Sequence, residues 1–166
     1  ACRTMSRQKI GALIVFEREN SLDEYFKTGT MVDAAVSAEL LKNIFFPKAA
    51  LHDGAVVIRN DRIAAAGCVL PLTENPNLSR DLGTRHRAAI GITEHSDAVV
   101  VVVSEETGVI SFVSGGNLKR YLTPETLTAA LKEVLVEEEK LPVHHRMLKF
   151  LKQPKKGKDE SGHEEK

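Results

Sequence analysis

The sequence contains little that would suit a secreted, disulfide-stapled or membrane-spanning chain. Of 166 residues only two are cysteine, Cys2 and Cys68, which are too few and too far apart for a disulfide framework or a CxxC motif. The longest strongly apolar run, residues 98–103, is far shorter than the roughly 18 residues of a membrane span. The first residues contain no apolar signal-peptide core. These absences favour a fragment that is soluble as given and that works in a reducing compartment.

An excess of positive charge is also missing. The chain has 23 Lys and Arg against 23 Asp and Glu, and aromatic residues make up 5% of it, with no tryptophan. Proteins that coat nucleic acids use a basic excess to collect phosphates and aromatic rings to stack bases. The composition therefore argues against a nucleic-acid partner.

Four common motifs of catalysis and nucleotide binding are absent from the sequence. They are the G-x-x-x-x-G-K-[ST] phosphate loop, the G-x-G-x-x-G fingerprint, H-E-x-x-H and G-x-S-x-G. If the protein handles nucleotides, it uses another design.

What the sequence does contain is a series of short apolar runs separated by polar turns. Runs of this kind at residues 10–17, 55–58, 63–70, 98–103 and 109–113 predict buried strands. The all-apolar run 98–103 is expected in the centre of a sheet. Between the second and third runs, the polar segment 59–62 (RNDR) predicts a hairpin turn.

Helical patterns lie between these strands. A capping box at Ser21 and Glu24 predicts a short helix ended by Gly29. A longer helix is predicted from Asp33, as its cap, to Pro47. Two more are predicted over residues 84–93 and from Pro124 onward, and residues 71–83 are predicted to be a loop. The fold class is therefore α/β, a single domain with a central β-sheet flanked by helices.

The two ends of the chain differ from the rest in composition. Residues 1–9 precede the first strand and contain Met5 rather than begin with it, so we expect them to be the remnant of an upstream region. Residues 152–166 contain no large apolar side chain and are expected to form a disordered charged tail. The domain is then predicted to span residues 10–151.

The first candidate site is the segment His52-Asp53-Gly54-Ala55, immediately before a predicted strand. An imidazole and a carboxylate at one strand entrance can both reach a divalent cation, and Gly54 allows close approach of a substrate to the backbone. An ordinary Asp-Gly turn entering a strand explains the same residues.

The second candidate is Gly83-Thr84-Arg85-His86-Arg87, at the start of a predicted helix. The amides there are unpaired, and arginine offers planar bidentate donors to phosphate oxygens, so the segment predicts an anion site. Two solvated surface arginines are the alternative.

The third candidate is Ser104-Glu105-Glu106-Thr107-Gly108, which follows the strongest predicted strand. Ligands of open α/β sheets collect at such strand ends, although a polar hairpin turn is an equally good interpretation. Weaker candidates are His144 and His145, expected on the surface, and Cys68, expected to be a small core residue.

Together the three segments, in this order and spacing, resemble the diadenylate cyclase (DAC) domain family. The resemblance covers about residues 10 to 135 and is strongest to the membrane-associated CdaA/DacA class, in which a predicted transmembrane region precedes the domain. It implies a central mixed sheet and an enzyme that condenses two ATP into cyclic di-AMP and two pyrophosphates. It also implies a face-to-face homodimer, because each subunit holds one ATP and a two-fold symmetric product matches a two-fold interface.

The resemblance assigns roles position by position. Asp53, Arg85 and Arg87 would be catalytic, and Asp53, His52 and Glu106 would bind the metal, Mn²⁺ or Mg²⁺. The nucleotide would contact Gly54, Ala55, Leu70, Thr84, Arg85, His86, Arg87 and Ser104. Relatives often carry Tyr where this chain has Val69, so stacking on adenine from that position is expected to be lost.

A carboxylate with a pKa near 3.9 is a poor base for an alcohol, so Asp53 is interpreted chiefly as a metal ligand that positions the attacking hydroxyl. The resemblance further implies a native protein at the bacterial membrane with this domain in the cytoplasm. It also implies a membrane-bound regulator and a phosphosugar mutase as partners. Two alternatives stay open: a catalytically silent nucleotide-binding module and a metal-dependent nucleotide hydrolase.

Overall fold

The computed structural model describes residues 1–79 and 81–136 and contains seven strands and five helices. The strands are β1 (Ala12–Phe16), β2 (Thr30–Ala35), β3 (Ala55–Arg59), β4 (Arg62–Cys68), β5 (Val99–Val103), β6 (Ile110–Ser114) and β7 (Asn117–Lys119). The helices are α1 (Cys2–Gln8), α2 (Asp23–Phe26), α3 (Ala38–Ile44), α4 (Thr84–His95) and α5 (Pro124–Leu135).

All seven strands belong to one mixed sheet in the order β2-β4-β3-β1-β5-β6-β7. Strand β1 runs parallel to β3 and antiparallel to β5, and the other neighbours are antiparallel. As a result, the start of β3 and the end of β5 lie at the same edge of the sheet, on either side of the start of β1. The predicted α/β fold with a central mixed sheet is confirmed.

The core lies where the apolar runs were found. Every residue of β5 is buried, and so are Ala12 to Val15 of β1. Helix α4 packs on β1, β5 and β6, and alternate residues of these strands, such as Leu13, Val100 and Val113, belong to its hydrophobic cluster. Burial on both faces explains why these strands read as continuous apolar runs rather than alternating ones.

The predicted hairpin is present between β3 and β4. Asn60 and Asp61 both have positive φ, 48° and 58°, the conformation of a two-residue turn of the I′ type, which matches strand twist and favours Asn and Asp. The predicted helices at residues 84–93 and from Pro124 are confirmed as α4 and α5. Thr123 caps α5 by accepting a hydrogen bond from the Thr126 amide at 3.2 Å.

The helix predicted to begin at Asp33 is wrong in its start. Residues Thr30–Ala35 form the edge strand β2, and Asp33 lies at a bulge with φ of 46° while its carboxylate accepts from Arg62 Nε at 2.7 Å. The helix begins at Ala38 instead, where the Ser37 side chain accepts from the Leu40 amide at 3.1 Å. An edge strand with one neighbour and mostly exposed side chains lacks the apolar run that identifies a buried strand.

The capping box predicted at Ser21 and Glu24 is also wrong, although the short helix it announced exists as α2. Ser21 Oγ accepts from the Asp23 amide at 3.2 Å, and the helix has no side-chain cap bond. The Leu22 amide is bound instead by Glu17 Oε2 at 2.9 Å. The carboxylate of Glu17, the residue after β1, therefore binds the amide of the observed N-cap residue, Leu22.

The ends of the chain carry the predicted domain boundaries, and these stay predictions. Residues 2–8 form α1, in which Met5 is fully buried, and this helix contacts β5. Residues Ala1–Thr128 form one compact unit, and a second unit begins at Ala129 within α5. The predicted tail 152–166 and the pair His144 and His145 lie outside the described residues.

One ion-pair cluster ties the far ends of β1 and β3 to α2. Arg59 donates from Nε to Glu17 Oε1 at 2.5 Å, from Nη2 to Glu17 Oε2 at 2.7 Å and from Nη2 to Asp23 Oδ1 at 2.6 Å. Its guanidinium also lies over the Phe26 ring, 4.4 Å from the centroid. The Glu17 side chain is only 8% exposed, so its charge depends on this bidentate partner.

We expect Arg59→Met to lower the free energy of unfolding by about 2 kcal/mol, because it leaves a nearly buried carboxylate without its counterion while keeping an apolar stem. Urea denaturation measures the loss. The matched control is Arg62→Met, whose ion pair with Asp33 is exposed on both sides and should contribute less than about 1 kcal/mol. Equal losses in the two variants would contradict the assignment.

Candidate active site

A cavity of about 680 Å³ opens at the edge of the sheet where β3 begins and β5 ends. Its volume lies in the usual range for sites that bind small organic molecules. Its polar lining comes from the segments before β3, after β5 and at the start of α4, and its apolar lining includes Leu13, Leu70 and Val102. The three segments selected from the sequence therefore meet at one cavity.

The segment before β3 contributes His52, Asp53 and Gly54 to the lining. The His52 ring contacts the Ala49 carbonyl through Nδ1 at 2.7 Å, so Nδ1 carries the proton and donates, which leaves the Nε2 lone pair available. Gly54 has φ of 106°, and a Cβ there would lie 2.7 Å from the Gly67 carbonyl carbon. Only glycine fits where the backbone at position 54 approaches the backbone of Gly67 this closely. This explains why glycine follows Asp53.

Helix α4 presents its first turn to the cavity through Thr84, Arg85 and His86. Its N-cap is Gly83, which supplies no side-chain cap, and its first turn contains no acidic residue. The positive end of the helix is therefore not neutralised by its own sequence, as in sites that bind anions. Arg85 extends from this turn and forms an ion pair with Glu105, Nη1 to Oε2 at 2.8 Å.

His86 is buried inside this arrangement. The side chain is 4% exposed, and Nε2 lies 3.3 Å from Ser111 Oγ. Burial, and secondarily the positive charge of Arg120, lower the pKa of the His86 imidazole from its ordinary value of 6.5. At neutral pH the ring is therefore an uncharged hydrogen-bonding group rather than a cation.

The segment after β5 forms a tight turn that brings acidic side chains to the cavity. The Ser104 amide donates to the Val109 carbonyl at 3.0 Å, and the Gly108 amide donates to the Ser104 carbonyl at 2.9 Å. Ser104, Glu105 and Glu106 all line the cavity. The turn is fixed on its outer side by α1, because Ser6 Oγ donates to the Gly108 carbonyl at 2.7 Å.

The apolar wall is formed partly by the end of β4. Leu70 is buried, and Cys68 is fully buried, where desolvation raises the pKa of its thiol to about 11. This is the inert core cysteine that the sequence predicts. Val69 lines the cavity with 66% of its surface exposed, so this wall is open at the position where related chains were expected to carry an aromatic ring.

Most of the predicted site residues lie at the cavity, and two do not. The lining includes His52, Asp53, Gly54, Leu70, Thr84, Arg85, His86, Ser104 and Glu106. Ala55 is instead fully buried as the first residue of β3, and Arg87 is half-buried, its carbonyl accepting from the Thr73 amide at 3.1 Å. The roles assigned to all of these residues stay predictions.

Sequence reasoning missed one acidic residue of the lining, Asp81, and assigned no role to another, Glu105, although it lies in the third candidate segment. Asp81 belongs to the loop 71–83 and is held there by Ser79 and by Arg120, whose Nη1 lies 2.7 Å from Asp81 Oδ2. Hydrogen bonds from Ser79 and from Arg120 lower the pKa of the Asp81 carboxyl. No local pattern could have shown this contact, since 39 residues separate its partners.

The residues predicted to bind metal share the cavity without forming a closed cage. Among residues 1–79 and 81–136, no three His, Cys, Asp or Glu side chains are grouped closely enough to hold an ion. The free Nε2 of His52 and the exposed carboxylates of Asp53 and Glu106 are nevertheless donors that Mn²⁺ and Mg²⁺ accept. Their role as metal ligands stays a prediction.

Comparison with known families identifies the class of protein that this fold and cavity define. The family model DAC, described as DisA bacterial checkpoint controller nucleotide-binding, matches residues 1–118. The chain belongs to the DAC family.

Individual relatives agree with this assignment. Cyclic di-AMP synthase CdaA of Bacillus subtilis is 51% identical over 138 residues, which are 83% of this chain and 49% of that protein. The diadenylate cyclase of Mycoplasma genitalium is 44% identical over 69% of this chain and 58% of its own length. The chain thus spans about half the length of the curated relatives it matches.

Solved structures show the same fold. A double mutant of DacA from Staphylococcus aureus aligns with a TM-score of 0.80 at 48% identity, over 81% of this chain and 90% of that one. A hypothetical membrane spanning protein from Bacillus cereus aligns with a TM-score of 0.71 at 48% identity, over 74% and 60%. In the present chain, no helix within the described residues combines the length and apolarity needed to cross a bilayer.

The buried His86 ring predicts a specific pH dependence of stability. Because its folded-state pKa lies below the ordinary 6.5, the unfolded chain binds the proton more readily. The stability conferred by the neutral ring is therefore complete above about pH 6.5 and is lost as pH falls toward the folded pKa, by up to about 1.4 kcal/mol per pH unit. Urea unfolding of wild type and His86→Gln between pH 5 and 8 measures the difference. A difference that stays constant or grows at low pH would refute this explanation.

Proposed function

We propose that this domain is a diadenylate cyclase that condenses two ATP into cyclic di-AMP and releases two pyrophosphates. The observation that carries the proposal is the convergence of the segments 52–54, 83–86 and 104–106 on one cavity of nucleotide-binding size. The names of the relatives from Bacillus subtilis and Mycoplasma genitalium support it. The cavity takes one ATP, with Leu70 of its apolar lining as the contact for the adenine ring.

The phosphates fit the start of α4. The first turn of a helix without an acidic cap favours negative charge, and Arg85 supplies a planar guanidinium beside it. Thr84 and Ser104 add hydroxyl groups on two sides of the cavity. The neutral His86 ring contacts Ser111 on β6 and so helps to hold the first turn of α4 against the sheet. We infer that Arg85 stabilises the charge that develops on the α-phosphate, with Arg87 supporting the turn.

The charge of the lining argues for a divalent cation. Asp53, Asp81, Glu105 and Glu106 face the cavity together with Arg85, and a triphosphate adds further negative charge. His52, Asp53 and Glu106 would hold Mn²⁺ or Mg²⁺, which when bound neutralises phosphate charge and acidifies a nearby hydroxyl. Asp53 then has the role of positioning the attacking 3′-hydroxyl and receiving its proton.

The reaction requires two cavities. The 3′-oxygen of each ribose forms a bond to the α-phosphorus of the other nucleotide, the bond from that phosphorus to the bridging oxygen breaks, and pyrophosphate leaves. One chain with one ATP cannot close the ring, so two domains must face each other about a two-fold axis. We therefore propose a homodimer as the active species.

The wider assignments follow from family membership. We propose a native protein at the bacterial membrane with this domain in the cytoplasm, which the similarity to the membrane spanning protein from Bacillus cereus supports. A membrane-bound regulator and a phosphosugar mutase are proposed partners on the family resemblance alone. We propose no nucleic-acid partner, in line with the balanced charge.

We expect Asp53→Asn to lower the rate of cyclic di-AMP formation by about 100-fold or more, because the variant loses the charge that positions the hydroxyl and takes up the proton. The measurement is mass analysis of products from ATP with Mn²⁺ or Mg²⁺ at several protein concentrations. Wild-type activity should rise more than linearly with concentration. Asp61→Asn, in the exposed hairpin turn at the end of β3, is the matched control and should keep full activity.

Other outcomes of this experiment have definite meanings. Near-normal turnover of Asp53→Asn at saturating metal would overturn the role of Asp53. A linear nucleotide product would indicate the hydrolase, and no product at concentrations where the dimer is present would indicate the silent nucleotide-binding module.

We also expect removal of the metal with EDTA to abolish activity, and His52→Ala to raise the Mn²⁺ concentration needed for half-maximal activity by about tenfold. Paramagnetic resonance of Mn²⁺ in the presence of a non-reactive ATP analogue measures the binding separately. His95→Ala, at the exposed end of α4, is the control and should leave both values unchanged. An unchanged Mn²⁺ requirement in His52→Ala would remove His52 from the metal site.

A further inference from the structure

The ion pair between Arg85 and Glu105 joins two elements that the chain places 20 residues apart. Arg85 is the second residue of α4, and Glu105 is the second residue after β5. The Arg85 side chain is only 19% exposed, whereas Glu105 is 61% exposed. The arginine is therefore the enclosed member of the pair, and the glutamate reaches to it from the cavity rim.

The enclosed guanidinium has little else to hold it. Its Nε atom is buried and has no hydrogen-bond partner among the described residues, and its recorded ion pair is the one from Nη1 to Glu105 at 2.8 Å. Arginine has five N–H donors and a long stem with considerable rotamer freedom. The Glu105 carboxylate restrains the guanidinium at Nη1 and leaves its remaining Nη donors to an anion in the cavity.

Glycine at position 11 makes room for this pair. A Cβ at Gly11 would lie 2.8 Å from Arg85 Nη1, 2.9 Å from Arg85 Cζ and 3.0 Å from Glu105 Oε2. Distances this short require displacement, and the atoms met are the ends of two long side chains rather than backbone. Gly11 is buried directly before β1 and has no positive φ, so alanine is compatible with the backbone there.

We propose that Glu105 is a positioning residue that orients the Arg85 guanidinium for the phosphates, and that Gly11 preserves the space this orientation needs. The proposal rests on the proposed function of the cavity and deepens it. Glu105 acts through Arg85, whereas Glu106 and Asp53 face the cation. The adjacent glutamates of the turn thereby have different tasks: one holds the cationic group, and the other serves the metal.

A double-mutant cycle tests this proposal. The variants are Glu105→Ala, Arg85→Ala and the double variant, with kcat and KM for ATP and the affinity for a non-reactive ATP analogue measured for each. We expect Glu105→Ala to lower kcat/KM and analogue affinity by about tenfold in the wild-type background. In the Arg85→Ala background, the same change should have less than about a twofold effect. Glu105→Gln, which keeps an acceptor for Nη1, should recover part of the loss.

Gly11→Ala provides an independent probe that leaves both charged residues in place. We expect it to lower analogue affinity and kcat/KM by about as much as Glu105→Ala, with little change in melting temperature, because flexible side-chain ends give way. The control is Glu125→Ala, which removes an Arg–Glu pair of similar length between exposed side chains, Arg3 and Glu125, and should change neither binding nor turnover.

Three results would overturn the proposal. Glu105→Ala could be as damaging without Arg85 as with it, excess Mn²⁺ could restore Glu105→Ala fully, which would make Glu105 a metal ligand, or Gly11→Ala could bind the analogue like wild type. A wild-type protein that makes no cyclic di-AMP would instead refute the proposed function. In that case the binding measurements still decide whether Glu105 orients Arg85.

Discussion

The change of strand direction across β1 brings the polar segments before β3 and after β5 to one cavity. Because β1 is parallel to β3 and antiparallel to β5, the entrance of one neighbour and the exit of the other fall at the same edge. If β5 ran parallel to β1 and β3, the segments 52–54 and 104–106 would lie at opposite edges of the sheet. The general rule that ligands gather beyond carboxyl ends of strands therefore accounts for only one half of this site.

This geometry places acidic groups opposite a helix that is positive at its first turn. The acids come from three loops, and the arginine comes from α4. Two of the four acids are paired through contacts between elements: Glu105 with Arg85, and Asp81 with Arg120. Such pairs order the rim without filling the cavity. A ligand with phosphate at one end and a cation beside it can satisfy both signs of charge at once.

The sequence predicted the elements whose local pattern reflects burial on both faces or the geometry of a tight turn. The buried strands β1 and β5 read as apolar runs because both of their faces are covered, and the hairpin at Asn60 and Asp61 follows from residues that tolerate positive φ. Strand β2 escaped prediction because an edge strand buries too little to leave such a pattern. The capping box was not found because α2 begins after Leu22, whose amide donates to the carboxylate of Glu17, the residue that follows β1.

The residues of the site likewise fall into those that the sequence could show and those that it could not. The segments around Asp53, Arg85 and Ser104 were recognisable because each is a compact group of chemistry-bearing residues at the end of an element. The contributions of Asp81, Glu105 and Gly11 depend on distances across the fold, and neither spacing nor composition records them. Arg87 shows the opposite error. Its place in the second candidate segment predicts a contact with the nucleotide, yet it is not among the residues that line the cavity.

Helix α1 has a thermodynamic connection to this cavity through its contact with the turn after β5. Ser6 Oγ donates to the Gly108 carbonyl, and a Cβ at Gly108 would lie 2.3 Å from the Ser6 carbonyl oxygen, so the helix and the turn are in direct contact. Any interaction that shifts α1 must change the free energy of the turn carrying Ser104, Glu105 and Glu106. By linkage the effect is reciprocal: occupation of the cavity that orders the turn must stabilise α1 by the same amount.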